Sequence, residues 1–157
     1  RKGGIDMVLN DYEINSSTFA VIPVKKGHCR IIDQDGSRLI KKDAFSIIKN
    51  ACNYFGNTFE SRHAMTKKLI NINYKSPIVI EESRSIIFFP TSSPREDDCI
   101  WLSLNAIKKY LKKEDKTRII FRDDTYIEIP VSYNIIDNQM ARSIILEKEL
   151  NKRKKCF

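Results

Sequence analysis

Short runs of β-branched and aromatic residues alternate in this chain with a few longer amphipathic stretches, which predicts a mixture of strands and helices. The predicted strands cover residues 13–23, 28–32, 38–41, 68–74, 77–80, 86–89, 99–102, 117–121 and 126–131. Turn-forming residues separate several of these runs, most clearly at Asp35-Gly36, Glu81-Glu82-Ser83 and Arg122-Asp123-Asp124-Thr125. We expect antiparallel hairpins there, because a short connection joins adjacent strands that run in opposite directions.

Residues 43–55 place their apolar side chains at helical spacing and are predicted to form an amphipathic helix. Asp43 is its predicted N-cap, and Gly56 supplies the left-handed conformation that commonly ends a helix. The polar residues 57–65 follow, as a short second helix or a loop.

Two further helices are predicted in the last third of the chain. The first, residues 103–113, directs four lysines outward: Lys108, Lys109, Lys112 and Lys113. The second, residues 134–152, is the longest, and Asn134 with Asp137 resembles a capping box. Its apolar face at residues 144–150 is either part of the core or a dimer surface.

Hairpins interspersed with helices are typical of the α+β class and not of a doubly wound sheet. We therefore expect antiparallel hairpins with about three to four helices in a single compact domain, residues 11–151. A chain of 157 residues with 41% hydrophobic content is long enough to bury one core. Residues 1–10 are expected to be a disordered or vector-derived N-terminus without the apolar segment of a secretion signal, and residues 152–157 a basic tail.

The charge balance favours a polyanionic partner. Lysine and arginine total 28 against 20 acidic residues, which gives a net charge of +8 and a pI near 9.3. Such an excess attracts nucleic acid or an acidic membrane surface. Four widely spaced cysteines predict reduced thiols in a cytoplasmic protein, and no apolar run is long enough to span a membrane.

The strand predicted at residues 86–89 leads into a loop that Pro90 and Pro94 stiffen. Each proline fixes its own φ and removes an N–H, so the loop neither extends the sheet nor becomes helical. The polar side chains of this loop are Thr91, Ser92, Ser93 and Arg95. Short hydroxyls and one guanidinium on a rigid loop suit a narrow anionic groove, although ordinary strand ends use the same residue types.

Basic residues concentrate in three stretches of the sequence. Residues 59–95 carry six positive charges against three negative ones, the predicted helix 103–113 has four lysines, and residues 147–157 carry five positive charges against two negative. Three basic surfaces fit phosphate contacts along a duplex. A solvated surface with a solubility tail is the simpler alternative.

The chain predicts no cofactor and no metal site. Its five glycines form no phosphate-binding loop, and its cysteines and two histidines lack the spacing of metal ligands. Glu60 and His63 leave a small nuclease as one alternative, because a carboxylate and an imidazole can act as acid and base. A basic RNA-binding or structural module is another, although the aromatic motif of common RNA modules is missing.

A set of short segments, ordered along nearly the whole chain, carries a family resemblance. They are Asp11-Tyr12-Glu13-Ile14-Asn15, residues 18–23, Tyr54-Phe55-Gly56-Asn57-Thr58-Phe59, Arg62, Lys75-Ser76-Pro77-Ile78, Phe89-Pro90-Thr91-Ser92-Ser93, Cys99-Ile100-Trp101, Ile129-Pro130-Val131-Ser132-Tyr133-Asn134, Asn138-Gln139 and Arg142. Together they resemble the ComK competence transcription factors of low-GC Gram-positive bacteria.

The resemblance implies a sequence-specific activator, not an enzyme, that binds double-stranded DNA and switches on genes for DNA uptake and recombination. It also implies nucleoid association and A/T-rich promoter boxes that a homodimer or higher oligomer reads largely through the minor groove. RNA polymerase and a proteolytic adaptor are implied as further partners. Better-known members continue beyond this C-terminus with a segment used by the adaptor, so this control is expected to be missing, trimmed or different.

The expected DNA-binding residues combine the proline-bracketed loop with the basic stretch before it. They are Arg62, His63, Lys67, Lys68, Lys75, Thr91, Ser92, Ser93 and Arg95. An A-tract narrows the minor groove and deepens its negative potential, which attracts inserted cations. The loop is expected to enter that groove while Arg62, His63, Lys67 and Lys68 hold the flanking phosphates.

Overall fold

A seven-stranded sheet forms the centre of the protein. The computed structural model describes residues 8–155. The strands of this sheet are β1 Val8–Leu9, β2 Thr18–Lys25, β3 His28–Asp33, β4 Gly36–Ile40, β5 Ile78–Glu81, β6 Ile86–Pro90 and β7 Trp101–Ser103. Their order is β1-β4-β3-β2-β7-β6-β5, and every neighbouring pair is antiparallel except β1 and β4. The hairpins predicted at Asp35-Gly36 and at Glu81–Ser83 are confirmed as β3–β4 and β5–β6.

A second, three-stranded antiparallel sheet contains β8 Ile107–Lys113, β9 Lys116–Phe121 and β10 Tyr126–Ile129 in the order β10-β9-β8. The helix predicted over residues 103–113 is therefore wrong. Only Leu104–Ala106 is helical there, as one 3-10 turn. The segment pairs with β9 from Ile107 opposite Phe121 to Lys113 opposite Lys116, so sheet hydrogen bonds outweigh its helical spacing.

Three α-helices complete the described part of the chain: α1 Ala44–Tyr54, α2 Phe59–Ile70 and α3 Tyr133–Lys155. The helix predicted at residues 43–55 is confirmed as α1. Of the helix and the loop predicted as alternatives for residues 57–65, the helix is confirmed as α2, which continues beyond residue 65. The strand predicted at 68–74 is wrong, because α2 continues to Ile70 and ends at Asn71 in the left-handed conformation, φ 58°.

The helix caps differ from two of the predictions. Asp43 precedes α1 as predicted, but its Oδ1 accepts a hydrogen bond from the Gly27 amide at 2.6 Å instead of capping the helix. The capping box at Asn134 is wrong, because α3 begins one residue earlier and the Ser132 hydroxyl accepts from the Ile135 amide at 3.3 Å. α3 also includes Lys152 to Lys155, the start of the predicted tail.

Both faces of the large sheet are covered, which places a hydrophobic cluster on each side. The helix α1 packs on one face, and the small sheet with α3 packs on the other. The neighbouring residues Phe88 and Phe89 are fully buried and point into opposite clusters. α2 contributes Phe59 to the first cluster and Met65 to the second. These features confirm a compact α+β domain.

Three of the four cysteines lie among the described residues. Cys29, Cys52 and Cys99 are free and buried, and burial raises the pKa of Cys29 to about 12 and that of Cys52 to about 11. Residues 1–7 of the predicted N-terminal segment, and residues 156–157, lie outside the described residues. No helix between residues 8 and 155 has the length and apolarity needed to cross a bilayer.

Candidate nucleic-acid interface

A cleft of about 560 Å³ opens between α1, α2 and the loops that follow α2 and β6. Phe45 of α1 and Phe59 of α2 both line it and meet edge to face, with their ring centres 4.9 Å apart. The charged and aromatic residues around them are Lys49, Glu60, His63, Tyr74, Lys75 and Arg95. The cleft therefore has an aromatic part and a polar rim.

The rim of this cleft is positively charged. Lys49, Lys75 and Arg95 contribute three permanent cations, and Glu60 contributes one carboxylate. Arg95 is exposed and forms no hydrogen bond or ion pair with another residue between 8 and 155. Its guanidinium is therefore available to an anion, which suits a phosphate or the electronegative floor of a DNA groove.

The Pro94-Arg95 ridge separates this cleft from a second one of about 410 Å³. Arg95 lines both clefts. The second cleft adds four carboxylates, those of Asp43, Glu96, Asp97 and Asp98, together with Lys25, Lys26 and His28. The two sides of the ridge thus differ in charge. A polyanion is attracted to the first cleft and opposed by the carboxylates of the second.

Thr91 joins the start of the proline-bracketed loop to Ile100, just before β7. Thr91 is buried, and its Oγ1 donates to the Ile100 carbonyl at 3.0 Å and accepts from the Ile100 amide at 3.1 Å. The hydroxyl oxygen of Ser92 is buried and has no hydrogen-bond partner among residues 8–155, whereas Ser93 lines the basic cleft. The three adjacent hydroxyls therefore occupy three different environments.

The predicted residues on α2 also divide between two environments. Arg62 is only 5% exposed, and its Nη1 donates to Glu82 Oε2 at 3.2 Å in the turn between β5 and β6. His63 lines the cleft, with its ring centre 6.1 Å from that of Phe59. Lys67 and Lys68 are exposed in the last turn of α2 and lie outside the cleft lining. The cleft thus gathers His63, Lys75, Ser93 and Arg95 from the predicted set.

The sequence prediction missed Lys49 and Tyr74. Lys49 lies over the Phe45 ring, with its Nζ 4.7 Å from the ring centre. Tyr74 is 70% exposed, and its carbonyl accepts a hydrogen bond from Arg142 of α3 at 2.9 Å. The strand predicted over residues 68–74 includes Tyr74, and an aromatic residue beside a lysine is the available sequence signal for this position.

The prediction also missed Gln139 as part of the support for the cleft. Its buried side-chain amide donates to the carbonyls of Lys75 and Pro90, at 2.9 and 2.7 Å. Gln139 and Ser143 are polar residues on the apolar stripe of α3, a pattern that indicates a specific buried hydrogen bond.

The other predicted basic surfaces are partly neutralised. On the small sheet, Lys108 pairs with Asp124 at 2.6 Å, and Arg118 pairs with Glu128 at 2.6 Å. At the end of α3, Lys152 pairs with Glu149 at 3.2 Å. Among the described residues, the cleft is the surface at which cations meet an exposed aromatic ring and a concave shape together.

Comparison with known proteins identifies the family. A family model described as ComK protein matches residues 9–155. This chain belongs to the ComK family. It is 32% identical over 152 residues to the competence transcription factor of Bacillus subtilis (strain 168), an alignment that covers 94% of this chain and 79% of that protein. No solved structure matches the chain. The match to the ComK model includes every residue that lines the cleft.

Proposed function

We propose that this protein is a transcription factor that activates competence genes, which serve DNA uptake and recombination, by binding their promoters. Membership of the ComK family, with similarity to a competence transcription factor, carries this proposal. The family is one of transcription factors and not of enzymes. Glu60 and His63 therefore have no catalytic role in this proposal, and His63 contacts DNA.

The basic cleft is the proposed DNA-binding surface. Its cations Lys49, Lys75 and Arg95 attract the phosphate backbone, and the carboxylates beyond the Pro94-Arg95 ridge restrict DNA to one side of the loop. Ser93 lines the cleft directly before Pro94, so in this proposal its hydroxyl donates a hydrogen bond to the bound DNA. Lys67 and Lys68 in the last turn of α2 hold phosphates that flank the cleft.

The minor groove of A/T-rich promoter boxes is the proposed target. A/T tracts narrow this groove and concentrate negative potential in it, so a cation on a thin, stiff ridge gains affinity without reading single base edges. Arg95 on the ridge meets this requirement, because Pro94 restricts the backbone and the guanidinium has no partner within the described chain. Lys75 faces the same cleft and provides the second cation.

Three residues of the predicted set support the surface from within. Arg62 holds α2 against the turn between β5 and β6, and Thr91 closes the base of the ridge loop. Ser92 lies between the buried Thr91 and the partly buried Ser93, which lines the cleft, and the Ser92 hydroxyl oxygen is itself buried. In this proposal the buried residues determine the shape of the interface, and the exposed ones bind DNA.

The proposed active form is a homodimer or higher oligomer. Ile144 and Ile145 of α3 are each about half exposed, at 52% and 51%, and are among the large apolar side chains that remain at the surface. Glu147, Lys148, Lys152 and Lys155 lie on the same stripe as Ile144, so charged side chains continue this face towards the end of the helix, and a two-fold axis at the isoleucines would bring the same face of two copies together. RNA polymerase and a proteolytic adaptor are further proposed partners. The proposed location is the nucleoid in the cytoplasm.

Two duplexes of equal length, one with an A/T-rich box and one of mixed sequence, test the proposal by fluorescence anisotropy. We expect tighter binding of the A/T-rich duplex at physiological salt and a steep loss of affinity as salt is added. Replacing thymine by uracil removes a methyl group from the major groove alone, so it leaves affinity unchanged for a minor-groove reader. Equal affinity for the A/T-rich and mixed duplexes would falsify specific recognition.

A further inference from the structure

Gln139 joins the two loops that face the basic cleft. Its side chain is 2% exposed, and its Nε2 donates to the carbonyl of Lys75 at 2.9 Å and to that of Pro90 at 2.7 Å. These acceptors lie 64 and 49 residues away in sequence, one in the loop after α2 and the other at the end of β6. One planar amide therefore connects three separate segments of the chain.

The geometry of an amide fixes the distance between those loops. Its two N–H bonds diverge by about 120°, so acceptors at ordinary hydrogen-bond distances lie about 5 Å apart. A lysine or a hydroxyl at this position has no such fixed angle between donors. Both carbonyls would also lose a partner in a buried setting if the amide were removed.

The Lys75 end of this bridge is a backbone position that needs support. Lys75 has φ 50°, in the left-handed region that a side chain with a Cβ rarely adopts. Gln139 stabilises this conformation by donating a hydrogen bond to the Lys75 carbonyl, and Arg142, one turn further along α3, donates to the preceding carbonyl of Tyr74 at 2.9 Å. The directions of the Tyr74 and Lys75 side chains thus depend on α3.

The Pro90 end leads into the ridge. Pro90 is paired with Trp101 at the end of β6, and the following residue, Thr91, is bonded on both sides to Ile100. Arg95 therefore extends from a loop whose base is fixed to the same amide that fixes Lys75. Gln139 therefore connects the backbone at Lys75 to the base of the loop that carries Arg95.

We propose that Gln139 is a positioning residue that sets the spacing of Lys75 and Arg95 and so determines the preference for A/T-rich over mixed-sequence DNA, an inference that rests on the proposed function. Total cationic charge governs affinity for any duplex, whereas the separation of two cations distinguishes a narrow groove from a wide one. If the bridge is lost, the loops adapt to either groove width, and the preference falls while binding to mixed DNA remains.

Gln139→Met tests this proposal, because methionine keeps the approximate volume and removes both donors. Ser143→Ala is the matched control: Ser143 is buried on the same face of α3, and its hydroxyl donates at 2.7 Å to the Gln139 carbonyl, within the helix. The readouts are amide hydrogen exchange in residues 71–77 and 90–99, and the ratio of affinities for A/T-rich and mixed duplexes. For Gln139→Met we expect faster exchange in both loops and a ratio lowered roughly tenfold, the scale of one lost specific contact.

Unchanged exchange in the two loops, or equal weakening of both duplexes, would overturn the proposal. Ser143→Ala is expected to change neither readout, and a fall in its ratio equal to that of Gln139→Met would also overturn it. If Gln139→Met does not fold, Gln139→Asn is measured in its place, since its shorter amide reaches one carbonyl and leaves the other without a donor. Equal affinity of the unsubstituted protein for both duplexes refutes the proposed function, whereas an unchanged ratio in the variant refutes only the role of Gln139.

Discussion

The guanidinium of Arg62 lies 3.2 Å from the carboxylate of Glu82 and ties the first turn of α2 to the turn between β5 and β6. Arg62 is almost fully buried, whereas the Glu82 side chain is 36% exposed. A buried cation needs a partner, because leaving it alone in the interior costs several kcal/mol. The pair therefore places Arg62 in the framework that supports the cleft.

Arg62→Ala is expected to lower the free energy of unfolding by about 2 kcal/mol, less than for a fully buried pair because water screens Glu82. Urea denaturation measures this change. Glu82→Gln keeps a hydrogen-bond acceptor and is expected to cost less. Weaker DNA binding by Arg62→Ala with unchanged stability would show instead that Arg62 contacts DNA directly.

Thr91 and Ser92 are adjacent hydroxyl residues with opposite expected effects on stability. Thr91→Val removes both side-chain hydrogen bonds to Ile100 and is expected to cost about 2 kcal/mol, since the buried Ile100 amide loses its partner while the Ile100 carbonyl keeps only the Thr91 amide at 2.9 Å. Ser92→Ala removes a buried hydroxyl that has no partner in the described part of the chain, and it is expected to be neutral or slightly stabilising. Thermal unfolding of both variants checks the order, and a larger loss in Ser92→Ala would contradict it.

Arg95→Gln is expected to weaken binding to A/T-rich DNA. It is also expected to reduce the slope of log affinity against log salt concentration by about 1, the value for one lost phosphate contact. The physical reason is the loss of an unpaired cation on the ridge. Lys113→Gln removes an exposed charge on β8 and is the matched control, with little change expected in either quantity. Anisotropy titrations at several salt concentrations measure both. Identical slopes for the two variants would place the DNA elsewhere.

Acid is expected to destabilise the turn between β5 and β6 through Glu81. Burial acts to raise the pKa of Glu81, but hydrogen bonds from Ser83 and Arg84 outweigh it and lower the pKa from 4.5 to about 2. The folded pKa is thus below the unfolded one, so the stabilisation is complete above pH 4.5 and is lost as the pH falls towards 2. Glu81→Gln is expected to be less stable than the unsubstituted protein by about 1 kcal/mol at pH 7.

Denaturation midpoints measured from pH 7 to pH 2 test this dependence. The difference between Glu81→Gln and the unsubstituted protein is expected to shrink as the carboxylate becomes protonated. A constant difference across that range would mean that Glu81 contributes through packing and not through its charge.

Replacing Ile144 and Ile145 together by glutamate is expected to lower the oligomeric state without unfolding the protein. Both side chains are half exposed, so charges there cost little within one chain but are unfavourable in a buried interface. Light scattering gives the mass, and circular dichroism reports the helix content. The same mass before and after substitution would exclude this stripe as the interface.

The sequence by itself determined the α+β class, most hairpins, α1 and α3, because each of these depends on local periodicity and turn residues. It also located the basic ridge loop, since Pro94 and Arg95 act through local stiffness and charge. These features follow from interactions between residues close in sequence, which a pattern can report.

Only the tertiary structure decided the state of residues 107–113, where pairing with β9 prevailed over a helical pattern. It also placed Arg62 inside, buried Thr91, and joined Lys75 to Pro90 through Gln139. Each outcome depends on partners tens of residues away, and no local pattern fixes which distant backbone group a side chain will meet. The fold therefore selects which of the predicted polar residues remain available at the surface.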